Sequence, residues 1–570
     1  MYDITIINST FNQGKVVPLG PLYLVSVLEN NGYKVDFKDY QLFNLEKSIN
    51  SNLFLNFLLD ISSNVIAISC LCSSLLTVLP AVQKLKEIHP EKIIILGGPG
   101  ASGLADKILK YFPSIDIVVK GEGEVTIVDL MNKMTNGSLK TVEGISYIEK
   151  DKIFNNSPRK RIENLDKIPF PAYHKLDFDK YVTNERPFPV GIITARGCPF
   201  KCTFCDVAPM WGREVYTRSI ENVIEEIKFL YEKYNQKISG FEDDTFVLSK
   251  KRVLQFCSEF KKEDLDIKWG CHGRIDLMDT NLMKNMYESG CNQIYYGIES
   301  GSDRVLDIIK KGFKIETALK VVTESKKFFE DVTASFMWGF PFETRMDMYD
   351  TIIAMRIMSK AGANVQMHLL GPLPFSSMCK EWTSESIQFD ENVMLDTVKT
   401  DYVYGYNKES INLIKKYPDI FMSHYHYKFD DFQKRIDDLK KLGILNTIGK
   451  TGPKRKNKVN NKAIESDVNI ILHNKLPKIK TEVLIRNRCS ESYIFNIETG
   501  ALHKINKSSA YIFNACINNI CVADLFKQMS EKFDKNEDII IKEYIINVVK
   551  LFYNLDILEH DSLTITGVKP

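Results

Sequence analysis

Three cysteines, Cys198, Cys202 and Cys205, share one short stretch, TARGCPFKCTFCDVAPMWG, at the spacing C-x3-C-x2-C. Thiolates this close bind zinc or an iron–sulfur cluster. A structural zinc site takes a fourth thiolate or an imidazole, and the next cysteine, Cys257, lies far along the chain. His174 is a donor that the fold can bring back, so zinc stays open. On a [4Fe–4S] cluster, three thiolates leave one iron without a protein ligand. An open iron takes a small molecule, which turns an electron carrier into a reaction centre.

The elements around the cysteines set where such a centre sits. They follow an apolar strand, VGIITARG, and the same block carries KISGFEDDTF, IKWGCHGRID, NQIYYGIES and DVTASFMWGF, with helical stretches between them. Repeated βα units over residues 187–375 predict a partial or full β/α barrel, whose reactive groups gather at the strand ends. The cysteines, the pair Asp243 and Asp244, Arg274 and Glu299 all fall at such ends. The plain alternatives are a helix cap for one aspartate and an ion pair for Arg274.

Residues 1–150 also alternate strands and helices, with Gly-rich exits at KIIILGGPG and DIVVKGEGE. That pattern predicts an α/β, doubly wound parallel sheet of Rossmann type, which holds ligands beyond the carboxyl ends of its strands. No G-x-G-x-x-G follows the first strand, so a dinucleotide is not expected. A Pro- and charge-rich connector spans 151–186. Residues 376–450 form a helical, aromatic extension, and 451–476 a basic linker whose charge reads as solvation. Residues 477–570 have the proportions of a small winged-helix α/β domain.

Composition narrows the field. The chain has 570 residues, 44% hydrophobic and 26% charged, with a formal net charge of +2. A near-neutral balance gives no reason to expect nucleic acid. The first residues lack a signal peptide's basic start, and no apolar run is long enough to span a bilayer, so no membrane is expected. Twelve cysteines are too sparse for a disulfide scaffold, and a cytoplasmic location is expected.

The motifs RGCPFKCTFC, FEDDTF, WGCHGRID, SGCNQIYYGIESGSDRVLDIIKKG and MWGFPFET together resemble the core of radical S-adenosylmethionine (SAM) enzymes, over Pro187 to Pro374. The resemblance implies that Cys198, Cys202 and Cys205 hold a [4Fe–4S] cluster, that SAM binds the open iron, and that its reductive cleavage yields a 5′-deoxyadenosyl radical. It also places Phe204 beside cluster and adenine, Asp243 and Asp244 near SAM or substrate, Glu299 near the ribose or methionyl part, and Arg274 near the SAM carboxylate. A reducing partner such as flavodoxin or ferredoxin is implied as well.

PLGPLYLVSVLENNGYKVDFKDY and AISCLCSSLLTVLPAVQKLKEIHPEKIIILGGPGAS resemble the cobalamin-binding domain of the same superfamily. The implied corrin contacts are Pro18, Gly20, Leu22, Ser69, Ser73, Gly97, Gly98, Pro99, Gly121 and Gly123. Met210 and Trp211, just after the cysteines, are expected at the junction with corrin or substrate. The domain departs from D-x-H-x-x-G cobalamin modules, because its one histidine is His89 in EIHPEK. ESYIFNIETGALHKINKSSAYIFNAC resembles a PqqD-like peptide-recognition domain, which implies a ribosomal precursor peptide bound through its leader. A packing domain without a ligand is the alternative there. YPDIFMSHYHYKF, with His424, Tyr425 and His426, is read as closing the substrate cavity or as a solvated cluster at a helix end. The joint expectation is C-methylation of an unactivated peptide carbon. Crosslink or ring formation, a small-molecule substrate, and a non-catalytic metal-bearing peptide binder remain the alternatives.

Overall fold

Ile4–Asn8 has four β-branched residues of five, three of them isoleucine, and all five are buried, as a strand covered on both faces must be. It forms β1, second from one edge of a seven-stranded sheet. The others are β2 (Val35–Asp39), β3 (Val65–Ser69), β4 (Ile93–Gly97), β5 (Ile117–Val119), β6 (Ile145–Glu149) and β7 (Lys152–Asn155). Their order is β2-β1-β3-β4-β5-β6-β7, parallel up to β5 and antiparallel beyond it. The structure is a computed structural model. It describes residues 2–10, 16–44, 48–183, 187–381, 384–391, 406–444, 469–471, 478–480, 482–518, 520–532, 538–559 and 564–566. The basic linker at 451–476 therefore lies largely outside the described residues.

The parallel strands run into helices at their carboxyl ends, and the turns there are built for close approach. Gly98 follows β4 at φ +86°, and a Cβ on it would stand 2.7 Å from the Cys70 carbonyl oxygen. Two residues on, a Cβ on Gly100 would stand 2.3 Å from the Leu71 carbonyl carbon. The turns after β3 and β4 thus interlock, which leaves their outer surface as exposed backbone.

The second sheet contains β8 (Val190–Ile192), β11 (Ile238–Phe241), β12 (Trp269–Gly273), β13 (Cys291–Glu299), β14 (Asp331–Trp338) and β15 (Asn364–Leu369). All pairs are parallel, and the strands lie side by side in chain order. Among the described residues β8 and β15 remain edges, so the barrel is partial. Between β8 and β11 comes an antiparallel pair, β9 (Ala195–Arg196) with β10 (Tyr216–Thr217). It pinches the base of the loop that carries the three cysteines. The helix Ile220–Tyr234 follows. Ser219 caps it by accepting from the Asn222 N–H at 3.1 Å, and Ile220, Val223, Ile224, Ile227 and Leu230 give it one buried stripe.

The chain divides into two compact units, 1–430 and 431–570. In the second, the antiparallel sheet β19 (Val483–Arg488), β20 (Glu491–Asn496), β21 (Leu502–Ile505) packs on the helices Lys507–Ile517, Val522–Lys532 and Asp538–Asn554. Its core includes Ile494, Ile512, Phe513, Val549 and Phe552. Four further strand pieces complete the set among the described residues: β16 (Ile387–Gln388) and β17 (His426–Tyr427) pair with each other, and β18 (Asn469–Ile471) pairs with β22 (Thr564–Thr566).

Candidate active site

The loop between β9 and β10 is strapped from outside. Arg161 donates to the carbonyls of Arg196 (3.0 Å) and Glu214 (2.6 Å), and its guanidinium lies 4.6 Å from the Tyr216 ring centre. Within the loop, the three thiols lie close enough to perturb one another electrostatically. Burial pushes the Cys205 thiol up to about 12 and raises that of Cys198, with Asp244 adding to both. Thiols so placed need compensating positive charge to ionise. Two donors already point at sulfur: the Val207 N–H, 3.4 Å from Cys205 Sγ, and Arg274 Nη1, 3.8 Å from Cys202 Sγ. Cluster irons would supply the rest, so the donor set fits an iron–sulfur cluster. His174 does not return to the cysteines but pairs with Glu29 at 2.9 Å. Among the described residues no three His, Cys, Asp or Glu side chains are arranged for a single metal ion. The zinc alternative thus has no donor shell here.

Beside this loop lies an open cleft of about 1300 Å³, open solvent included. The first domain contributes an apolar floor, including Ala67, Ile95 and Val119, and the backbone of its glycine turns. Of the residues expected to contact the corrin, Gly20, Ser69, Gly97, Gly98, Pro99, Gly121 and Gly123 line it. A Cβ on Gly20 or Gly121 would meet no atom within 4 Å, which shows that both border open space. From the other side come Arg196, Met210, Trp211, Glu242 and Asp244. A broad apolar floor rimmed by backbone amides and the Ser69 hydroxyl suits a large flat ring with amide side chains, as a corrin is. Pro18, Leu22 and Ser73 are not in the lining. Leu22 is fully buried in the core of its domain, Ser73 is buried, and Pro18 precedes the helix Leu19–Asn30. His89 is on the surface, 3.2 Å from Glu91.

The two aspartates separate. Asp243 is buried and accepts from the backbone N–H groups of Thr194 (2.6 Å) and Ala195 (3.0 Å) and from the Thr194 hydroxyl (2.5 Å). It caps no helix; it ties the end of β11 to the chain entering the cysteine loop. Burial raises its carboxyl to about 6 despite those bonds. Asp244, the next residue, projects the other way into the cleft. Although the residue is exposed, desolvation of its carboxyl in the cleft, and then the charge of Asp243, raise it to about 6 as well. Glu242 lines the same space; the sequence reading passed it over, although strand alternation puts Glu242 and Asp244 on one side and Asp243 on the other.

Arg274 is already engaged. Its Nε is 2.7 Å from Asp276, Nη2 donates to the Lys311 carbonyl, and the guanidinium stacks 3.6 Å from the Phe200 ring centre. The ion-pair reading holds, at a buried rather than a surface position, and Arg274 also steadies the cysteine loop. Glu299 ends β13 at φ +75°, with its carboxylate 2.8 Å from Lys311 Nζ. Lys311 also lies over Phe204 at 5.8 Å, and Phe204 meets Phe340 edge-on at 6.1 Å. Lys311 was not foreseen, since KKG carries no chemical pattern by itself. Tyr425 is buried and gives its hydroxyl to the Ile414 carbonyl at 3.1 Å. His424, also buried, meets the Tyr406 hydroxyl at 3.1 Å, and burial lowers its pKa to about 3. The aromatic stretch is therefore packed interior rather than a solvated helix end, and Tyr425 is not in the cleft lining.

Residues 192–354 match the radical SAM superfamily, and residues 7–131 match the B12 binding domain. An uncharacterized methyltransferase of Pyrococcus horikoshii is 35% identical over 337 residues, which cover 59% of this chain and 72% of that protein. The chain belongs to the radical SAM superfamily, to the enzymes that combine a radical SAM core with a B12 binding domain. Its cofactors are a [4Fe–4S] cluster, SAM and cobalamin. An anaerobic magnesium-protoporphyrin IX monomethyl ester cyclase of Rubrivivax gelatinosus is 29% identical over 54% of this chain and 56% of its own. The radical SAM methyltransferase TsrM of Kitasatospora setae, solved with cobalamin and [4Fe–4S] cluster bound, shares the fold at a TM-score of 0.56 and 16% identity, over 68% of this chain and 80% of that one.

Proposed function

We propose that this enzyme transfers a methyl group to an unactivated carbon of a ribosomally made precursor peptide. The carrying observation is that one cleft is lined both by the glycine turns of the B12 binding domain and by Met210, Trp211 and Asp244 beside the cysteine loop. When bound, the cluster with SAM supplies a hydrogen-abstracting radical, and cobalamin supplies the methyl group. The protein's own residues hold the reactants close and keep stray hydrogen donors away. Cys198, Cys202 and Cys205 anchor the cluster, Arg274 and Lys311 brace it, and Asp244 presents an acceptor for the polar groups of SAM or substrate. The P. horikoshii relative, named as a methyltransferase, supports methyl transfer.

The peptide reading rests on the second unit. Its three-stranded sheet has edge strands β19 and β21 that a leader segment can extend by strand addition. The test is anaerobic incubation of the reduced holoenzyme with SAM and the precursor encoded by a neighbouring short reading frame. The expected products are 5′-deoxyadenosine, S-adenosylhomocysteine and a peptide heavier by one CH2. The R. gelatinosus cyclase favours a second reading, ring formation. That reading predicts loss of two hydrogens and no S-adenosylhomocysteine.

A further inference from the structure

One charged side chain in the cleft does none of the work assigned so far. Arg196 lies in β9, two residues before Cys198, and is buried. Its side chain leaves the radical SAM core and enters the first domain. There Nη1 meets Glu122 at 3.0 Å and Nη2 meets Glu124 at 2.6 Å. Both carboxylates belong to the GEGE turn, between and just after the glycines that border the cleft. Glu122 also accepts from the Ile162 N–H in the connector at 2.7 Å. The guanidinium stands 5.6 Å from the Tyr23 ring centre and 5.5 Å from that of Trp211.

We propose that Arg196 is a positioning residue, which aligns the cysteine loop with the GEGE turn and so couples filling of the corrin cradle to ordering of the cluster loop. The geometry supports this in two ways. A planar guanidinium forked onto two carboxylates fixes direction as well as distance. And all four of its partners, Tyr23, Glu122, Glu124 and Trp211, line the cleft, so a ligand there presses on the clamp. Backbone continuity and the Arg161 strap on the Arg196 carbonyl carry the constraint to Cys198. A buried ion pair is weak evidence for stability, and register is its best-attested use.

Coupling of two sites is reciprocal and is measured as a ratio of affinities. Hydroxocobalamin is titrated into full-length protein, with reconstituted cluster and with all three cysteines changed to alanine, in the wild-type, Arg196→Lys and Glu124→Gln backgrounds. In the wild type, loss of the cluster should weaken cobalamin binding at least about fivefold, the lower range of such couplings. In Arg196→Lys, which keeps the charge but not the fork, the ratio should fall below about twofold, and Glu124→Gln should reduce it in the same direction. Thermal melting of each variant separates this from unfolding. A cysteine effect of equal size in all backgrounds, or none in the wild type, overturns the proposal.

Discussion

Asp243 and Asp244 are neighbours with opposite duties, and substitution should tell them apart. Asp243→Asn removes a charged acceptor from three donors at the root of the cysteine loop. Charge-assisted hydrogen bonds are worth about 1.5–3 kcal/mol each, so the folded state should lose roughly 2–4 kcal/mol, read as a lower Tm and lower iron retention. Asp244→Asn should change stability by less than about 0.5 kcal/mol yet reduce SAM-dependent turnover at least about tenfold, equivalent to about 1.4 kcal/mol. His424 gives a pH prediction. Its folded pKa is depressed to about 3 by burial, below the ordinary 6.5. Between those values the unfolded chain carries a proton that the folded one refuses, so stability is full above pH 6.5 and falls as pH drops toward 3. His424→Gln should flatten that acid limb by about 1.4 kcal/mol per pH unit, one proton's worth, in chemical denaturation at a series of pH values.

At the scale of elements, the turns after the parallel strands decide what the cleft can hold. Gly98→Ala places a Cβ 2.7 Å from a backbone oxygen at positive φ, a strain of order 1–3 kcal/mol. It should leave the cluster in place and lower cobalamin retention after gel filtration. Such turns were legible in the sequence because a strand followed by Gly-Gly-Pro-Gly is a local signal, as is C-x3-C-x2-C. The fold class followed from the same short-range patterns. What stayed hidden was long-range. Arg196 joins Glu122 and Glu124 from another domain, and Lys311 reaches Glu299 across a helix and a turn. The expectation for Leu22 failed because the helix Leu19–Asn30 turns that residue toward the core while Gly20 faces the cleft. The sheet of the first domain also runs past 150, since Lys152–Asn155 pairs with β6 inside what reads as a connector.

For the whole molecule, the division into 1–430 and 431–570 yields a direct test of substrate delivery. The peptide reading expects a chain ending at 430 to keep iron and cobalamin while losing measurable affinity for the precursor's leader; unchanged leader affinity would remove the second unit from recognition. Among the described residues no helix is long and apolar enough to cross a membrane.

The Arg161 strap has one more consequence. Although it belongs to the segment joining the two domains, its guanidinium grips the backbone on both sides of the cysteine loop. A unit that recombination exchanges among related enzymes must therefore keep Arg161 with the cysteine loop. A chimaera cut between Arg161 and Arg196 pairs a foreign strap with a native loop, whereas one cut at residue 150 keeps strap and loop together. Grafts of the second kind should assemble their iron centre, and the modular history of such enzymes should respect the same seam.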